Sequence, residues 1–251
     1  MNQGNYKMTH RKLSKAPLQE VVFELRWEGE IQNSDYFDEG YDIAVGVYHK
    51  NIKESFPIHK KLFQEGITVF GLPMHQYWKG EQKWPVVQHG PCVMAVNDIE
   101  ENYTWEESFK PLIFNNIKEL TKAYEKPLKF NQLSLLYIDI FKDLDDVNRF
   151  VSDNLNISFN SQIIGFERSE QFNFYHKYVI DEHSTLNLTI STANSSSIEP
   201  QNFNALMVNI NFIYAGYFSF DSIEGIIEKA HSKTSSYFKN LLKKEYYDSI
   251  V

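Results

Sequence analysis

Residues 221–244 read DSIEGIIEKAHSKTSSYFKNLLKK, and this stretch decides the fold. Its apolar residues are Ile223, Ile226, Ile227, Ala230, Tyr237, Phe238, Leu241 and Leu242. They recur at three- and four-residue steps and draw one apolar stripe along a helix. Asp221 and Glu224 have the spacing of a capping box, so the pattern predicts a helix over 221–244. A helix of that length with a single stripe needs a broad surface to lie on. Three alternating segments upstream can supply it as strands. They are 166–180 with Phe172, Phe174, Tyr178 and Ile180, then Leu186, Leu188 and Ile190, then Leu206, Val208, Ile210 and Phe212.

Outward from there, 104–126 repeats the design. Thr104 and Glu107 form a second capping box, and Phe109, Leu112, Ile113, Ile117, Leu120 and Tyr124 make the stripe. Pro111 falls in the opening turns, where it is expected to bend the helix, and Pro127 ends it. This helix also follows a run of strands. The first strand, 18–27, alternates Val21, Phe23, Leu25 and Trp27 with Glu20, Val22, Glu24 and Arg26. An acidic connection, Gly29 to Gly40, lacks the ligand spacing of a calcium loop. A short helix is expected over 41–56, with Ile43, Val47, Ile52 and Phe56 on its buried side. Strands are expected at 67–70, 74–84, around Val86-Val87, and at 92–97. Residues 133–141 are apolar on both faces and read as a central strand buried on both. A short helix over 143–154 and a polar Ser/Asn-rich loop over 191–202 complete the order.

Each half therefore runs strand, short helix, several strands, long helix. A slide of 221 − 104 = 117 positions lays Thr104 on Asp221, Glu107 on Glu224 and Phe109 on Ile226, and the stripes stay in phase. The expected fold is α+β: two β-α-β(3–4)-α halves joined in one wide, curved antiparallel sheet, with two long helices on one face. That arrangement resembles the TATA-binding-protein-like and helix-grip-like folds; two ferredoxin-like units side by side are the alternative. The expected divisions are a flexible N-terminal arm (1–15), a first half (16–127) and a second half (128–251), with one continuous domain as a variant.

The chain has 251 residues, a net charge of −8 and one cysteine, Cys92. No internal disulfide can form, which fits a reducing cytoplasm. The opening residues lack the apolar core of a signal peptide, and no apolar run approaches ~18 residues, so no spanning helix is expected. The acidic balance weighs against nucleic acid and suits a basic partner. Only the N-terminal arm runs against it, with Lys7, Arg11, Lys12 and Lys15 and no acid.

No G-x-S-x-G elbow, Walker A loop or G-x-G-x-x-G occurs, so no catalytic residue is assigned. Neither His75 with His89 nor His176 with His183 has zinc-motif spacing, and no metal or cofactor is expected. His49 and His59 read as surface residues, and Cys92 as a buried structural thiol. Asp139 stands out inside an apolar strand, because a buried carboxylate must be paired or hydrogen-bonded. His231 lies beside the stripe of the last helix, and Tyr137, Asp139 and His231 are placed to meet in a pocket between sheet and long helices. A second candidate surface is an amide-rich face: Gln171, Asn173, Asn187, Thr189, Asn209 and Asn211 would leave one side of the sheet, suited to a peptide or small polar ligand.

Several stretches resemble a sporadically distributed family of uncharacterised prokaryotic proteins. The stretch Ala16-Pro17-Leu18-Gln19-Glu20-Val21-Val22-Phe23-Glu24-Leu25-Arg26 resembles its N-terminal signature. Trp105, Phe109 and Leu112 resemble its mid-chain helix, Leu135-Leu136-Tyr137-Ile138-Asp139 its central strand, and His231 with Phe238 its last helix. The resemblance implies an accessory setting, such as a toxin–antitoxin or anti-phage module, and no activity. The expected function is a non-enzymatic cytoplasmic binding or regulatory protein acting through a protein partner, encoded by a neighbouring gene. A small-ligand or nucleotide sensor and a nucleic-acid-binding saddle are the alternatives.

Overall fold

The alternation of the first strand is met in the structure: Val21, Phe23, Leu25 and Trp27 are buried, while Val22, Glu24 and Arg26 on the other face are half-buried. The computed structural model describes residues 16–32, 35–64, 66–99, 101, 103–157, 173–193 and 205–250. The expected N-terminal arm, Gln171 and most of the polar loop after 191 lie outside the described residues.

The first half runs β1 (Leu18–Trp27), a small hairpin of β2 (Glu30–Gln32) and β3 (Asp35–Phe37), α1 (Tyr41–Ile52), β4 (Ile58–Lys61), β5 (His75–Gly80), β6 (Lys83–Gly90), β7 (Val93–Asp98), then α2 (Lys110–Ala123). The second runs β8 (Phe130–Phe141), α3 (Val147–Asn154), β9 (Asn173–Val179), β10 (Ser184–Ala193), β11 (Ala205–Phe218), α4 (Ile223–Leu241) and a closing α5 (Lys244–Ile250). Among the described residues nine strands form one antiparallel sheet in the order β4-β5-β6-β7-β1-β8-β11-β10-β9. The order is symmetric about its middle. In each half the first strand pairs with the last, β1 with β7 and β8 with β11, and the two first strands pair with each other. The sheet is thus the expected joining of two β-α-β(3–4)-α halves, and it is not closed.

The helices pack on one face. One core gathers β1, α1, α2 and the first turns of α4, through residues such as Phe23, Tyr48, Phe109, Ile117, Ile223 and Ala230. A second gathers Phe141, Leu188, Ile190, Val208, Leu241, Leu242 and Ile250. The helix α4 crosses from the first core to the second. Between its Ala230 and Leu241 the buried positions are His231 and Thr234, which are polar. Lys110 of α2 meets Glu224 at 3.4 Å and also Glu228, so one ammonium links the starts of the two long helices. No described helix is long and apolar enough to cross a membrane.

Several local expectations are corrected. Neither capping box forms. The Thr104 hydroxyl and N–H meet the Ser108 hydroxyl instead, and a π-helical turn, Trp105–Phe109, precedes α2. Asp221 lies in a 3-10 turn, and Ser222 at the cap position makes no side-chain capping bond, its hydroxyl meeting that of Ser219 instead. The last helix breaks at Leu242, whose extended backbone (ψ 142°) bridges to Leu155, so α5 is separate. The helix α1 buries Tyr41, Ala44, Tyr48 and Ile52, and leaves Ile43 63% exposed. The two tyrosines carry more ring area into the core than Ile43 and Val47 would. Residues 67–70 form turns rather than a strand: Ile67 N–H bonds to the Gln64 carbonyl, and Gly66 and Gly71 take positive φ. The strand falls at β4, which pairs with β5. On its helix side the central strand β8 buries Leu133, Leu135, Asp139 and Phe141, whereas Leu136, Ile138 and Ile140 on its reverse are only half-buried.

Candidate functional site

The pleat of β8 sets the site. Val21 of β1 and Ile210 of β11 flank Tyr137, and Leu18 and Val208 flank Asp139. Successive residues alternate faces, so Tyr137, Asp139 and Phe141 all stand on the helix side. Above them lies the polar gap in α4. The Tyr137 hydroxyl is 2.8 Å from His231 Nδ1 and 2.7 Å from the Tyr103 hydroxyl. His231 in turn stacks on Trp105, with ring centroids 4.0 Å apart and planes 8° from parallel. The Thr234 hydroxyl is turned back on its own helix, donating toward the Ala230 and His231 carbonyls. This cluster fills the seam between the two apolar cores.

Tyr103, Tyr137 and His231 form a chain in which one hydroxyl lies between a hydroxyl and an imidazole nitrogen. With His231 accepting at Nδ1, Tyr137 donates to it and Tyr103 donates to Tyr137; the other tautomer reverses both bonds. Burial raises both tyrosine hydroxyls above their ordinary value, so both keep their protons over the physiological range. Trp105 Nε1 is buried with no hydrogen-bond partner among the described residues.

Asp139 differs from its neighbours. It is 5% exposed, and no described residue hydrogen-bonds its carboxylate. Burial pushes its carboxyl up to about 7. At the same strand ends a cleft of about 460 Å³ opens, lined among others by Leu18, Gln19, Glu101, Phe141, Lys142 and Tyr246. Leu18 is the cross-strand partner of Asp139, and Phe141 is its neighbour on the same face. The cleft size is that of small-molecule sites, ~300–1,000 Å³.

The asparagines stand on the reverse side of the sheet. Asn187 pairs directly with Asn211, Thr189 with Asn209, and Ser191 with Asn173. The Oδ1 atoms of Asn187, Asn209 and Asn211 are buried without a partner among the described residues. The candidate residues thus divide in two: Tyr137, Asp139 and His231 gather on one face, and Asn173, Asn187, Asn209 and Asn211 on the other.

Sequence reading missed a second polar region, half-buried at three histidines and buried at a fourth. His49 of α1, His59 of β4 and His75 of β5 pack together, His59 Nε2 lying 2.8 Å from His75 Nδ1. His89 pairs across from His75 and is wholly buried among Trp27, Tyr41, Tyr48 and Tyr124. Burial holds His75 down to about 4 and His89 to about 3, so both are neutral. Asp38, in the acidic connection, accepts from Trp27 Nε1, Cys92 N–H and the Tyr124 hydroxyl. It pins that connection onto the core. No set of three or more described His, Cys, Asp or Glu side chains is placed to hold a metal ion. The spacings 49, 59, 75 and 89 follow no helical or metal period, so the sequence offers no signal for this region.

Fold and site together define an open antiparallel α+β protein with an unpaired carboxylate beside a tyrosine–imidazole chain. Comparison with protein-family models, with curated proteins and with solved structures gave no match.

Proposed function

We propose that this protein is a ligand-binding regulatory protein rather than an enzyme, with its ligand held in the cleft where β1 and β8 end, between the sheet and the helices. The observation that carries the reading is the cleft of about 460 Å³ at these strand ends, whose lining includes Leu18 and Phe141, the cross-strand partner and the same-face neighbour of the buried Asp139. A buried charge without a partner costs stability, and such groups persist where a ligand completes them. The Tyr103–Tyr137–His231 chain, anchored two residues before Asp139 on β8, reaches α4, which enters both cores. That supports a sensor in which occupancy alters the packing of one helix across both halves.

A thermal-shift screen with amines, amino acids, nucleotides and carboxylic acids tests the proposal. At least one class stabilises the wild type, and Asp139→Asn changes that response. If no class shifts the melting temperature, the ligand reading fails.

A protein partner is the second reading, and a specific surface favours it. Ile31 and Tyr36 on the β2–β3 hairpin, with Ile67, Phe70 and Leu72, are exposed apolar side chains, and the Tyr36 and Phe70 rings lie 5.4 Å apart. An exposed apolar patch of this kind suits docking. The partner would be the product of a neighbouring gene, in the accessory or defence setting that the family resemblance implies. Co-expression with that product followed by gel filtration tests it: a shared peak, lost in Tyr36→Ser/Phe70→Ser, is expected.

A further inference from the structure

We infer that the exposed apolar face formed by the β2–β3 hairpin and residues 66–72 docks a basic apolar segment of a partner protein, one whose aliphatic or aromatic side chains are flanked by lysine or arginine; this deepens, and rests on, the protein-partner reading above. The face is held in place by the residues beneath it. Ile31 and Tyr36 are cross-strand partners, so they stand on one side of the hairpin. The Tyr36 ring meets the Phe70 ring. The Phe70 ring in turn lies against the backbone of Gly29, where any side chain would run into it, and the Leu72 carbonyl lies against Gly90 in the same way. Gly71 is tied from both ends: its N–H bonds the Pro91 carbonyl at 3.0 Å, and its carbonyl accepts from Arg26 Nη1 at 3.0 Å. Asp38, just past the hairpin, accepts from Trp27, Cys92 and Tyr124. The backbone is therefore fixed, yet Ile31 is 65% and Tyr36 60% exposed, with Ile67, Phe70 and Leu72 exposed beside them. Apolar side chains kept in water on a fixed backbone mark a docking surface, and such a surface loses little freedom when it is covered.

The charge around this face selects the occupant. Gly29, under the Phe70 ring, lies between Glu28 and Glu30, and both acids are exposed. Glu30 hydrogen-bonds the Glu39 carboxyl, so two acids share one proton at the rim, and that contact pushes the Glu30 carboxyl above its ordinary value. Lys126 meets Glu39, and Lys129 Nζ lies 3.5 Å from Glu28 Oε2. Among the described residues the rim thus sets three carboxylates against two ammoniums. An incoming lysine or arginine replaces the shared proton and evens the charge. A second copy of this chain would bring the same acids, and a two-fold contact through this face would set the two acidic rims together. An anionic lipid surface or a nucleic acid would meet the same repulsion. A segment that is apolar at its centre and basic at its flanks meets neither conflict.

The test uses the full-length protein and three labelled peptides of one length, read by fluorescence anisotropy. The first is built from leucine, phenylalanine and lysine patterned as an amphipathic helix; the second has glutamate for every lysine; the third has serine for every leucine and phenylalanine. The first is expected to bind at least tenfold more tightly than either of the others. Tyr36→Ser/Phe70→Ser is expected to weaken it at least tenfold. Glu30→Gln/Glu39→Gln is expected to weaken it severalfold and to flatten its salt dependence, whereas Glu245→Gln/Asp248→Asn, an equal change of charge on α5, leaves it unaltered. Circular dichroism checks that each variant is folded. If the serine peptide binds as well as the first, general charge attraction is the cause and the inference is overturned. If the glutamate peptide binds as well, the basic assignment is overturned and the protein-partner reading stands. If no peptide binds, or if Tyr36→Ser/Phe70→Ser binds like the wild type, the inference is overturned, and co-expression with the neighbouring product decides the partner reading separately. Self-association, or binding to phosphatidylserine vesicles, that the same double variant loses assigns the face to a second copy or to a lipid surface and also overturns it.

Discussion

At the scale of the residue, Asp139 and Tyr137 show how one strand position can be structural and its neighbour a liability. The Asp139 carboxyl sits at about 7 when folded, against 3.8 in an open chain. From pH 4 to 7 the folded protein holds a proton that the unfolded chain has released, so this residue lowers stability as pH rises and costs most above 7. Asp139→Asn is therefore expected to stabilise the protein at pH 8, on the order of 4 kcal/mol at most, and to change little at pH 4. Urea denaturation at the two pH values reads the difference. Tyr137→Phe has the opposite sign: it strips a bridging hydroxyl from two buried groups and is expected to cost ~1–3 kcal/mol at both pH values. Asp139 was legible as an acid in an apolar run. Its burial and lack of partner were not, because they depend on α4 covering the strand and on Leu18 and Val208 flanking it.

At the scale of the element, α1 and the β4–β6 strands carry three half-buried histidines and one buried one. His75 and His89 have folded pKa values of about 4 and about 3, below the open-chain 6.5. Between those limits the unfolded chain binds more protons than the folded one. Their contribution is complete above pH 6.5 and is lost as the pH falls toward 4 and 3. Hydrogen exchange at pH 5 and pH 7.5 is expected to show α1 and β4–β6 opening first at the lower value, and His89→Gln to weaken that pH dependence. The expectation fails if the region's protection is unchanged. The same element shows why α1's face was misread. Ile43 and Val47 have the stronger apolar character, but Tyr41 and Tyr48 can be buried because Tyr48's hydroxyl reaches Asn116 at 2.8 Å. That bond spans 68 residues and leaves no trace in local periodicity.

At the scale of the whole molecule, the pairing of β1 with β8 makes one sheet of two halves, and α4 is shared between cores. A fragment of residues 128–251 would expose Leu133, Leu135 and the first turns of α4, all of which pack into the core shared with β1 and α2. It is expected to lack the dispersed amide spectrum and cooperative melt of the full chain, and to recover both when 16–127 is added. A fragment that folds alone would refute this account of the shared core. The open reverse face carries Glu20, Glu24, Arg26 and the asparagines, and it adds no basic field to a chain of net charge −8. Retention on DNA is accordingly expected to be absent at 50 mM salt.

The sequence by itself determined the periodicities, and with them the type and order of most elements and the two-part design. Stripe spacing and strand alternation are local properties, written within ten or twenty residues. It also marked Tyr137, Asp139 and His231 as one candidate group, since two stand on one strand face and the third on the helix expected above it. The tertiary structure alone decided which side of α1 is buried, where the last helix breaks, that the asparagines face away from Asp139, and that His59, His75 and His89 gather under α1 and its His49. Those outcomes depend on contacts between residues tens of positions apart, on bridges such as Leu155 to Leu242, and on which hydroxyl finds which partner. In 221–244 both limits meet: its stripe gave the helix, and only packing showed that the polar gap at His231 and Thr234 lies over the seam between two cores.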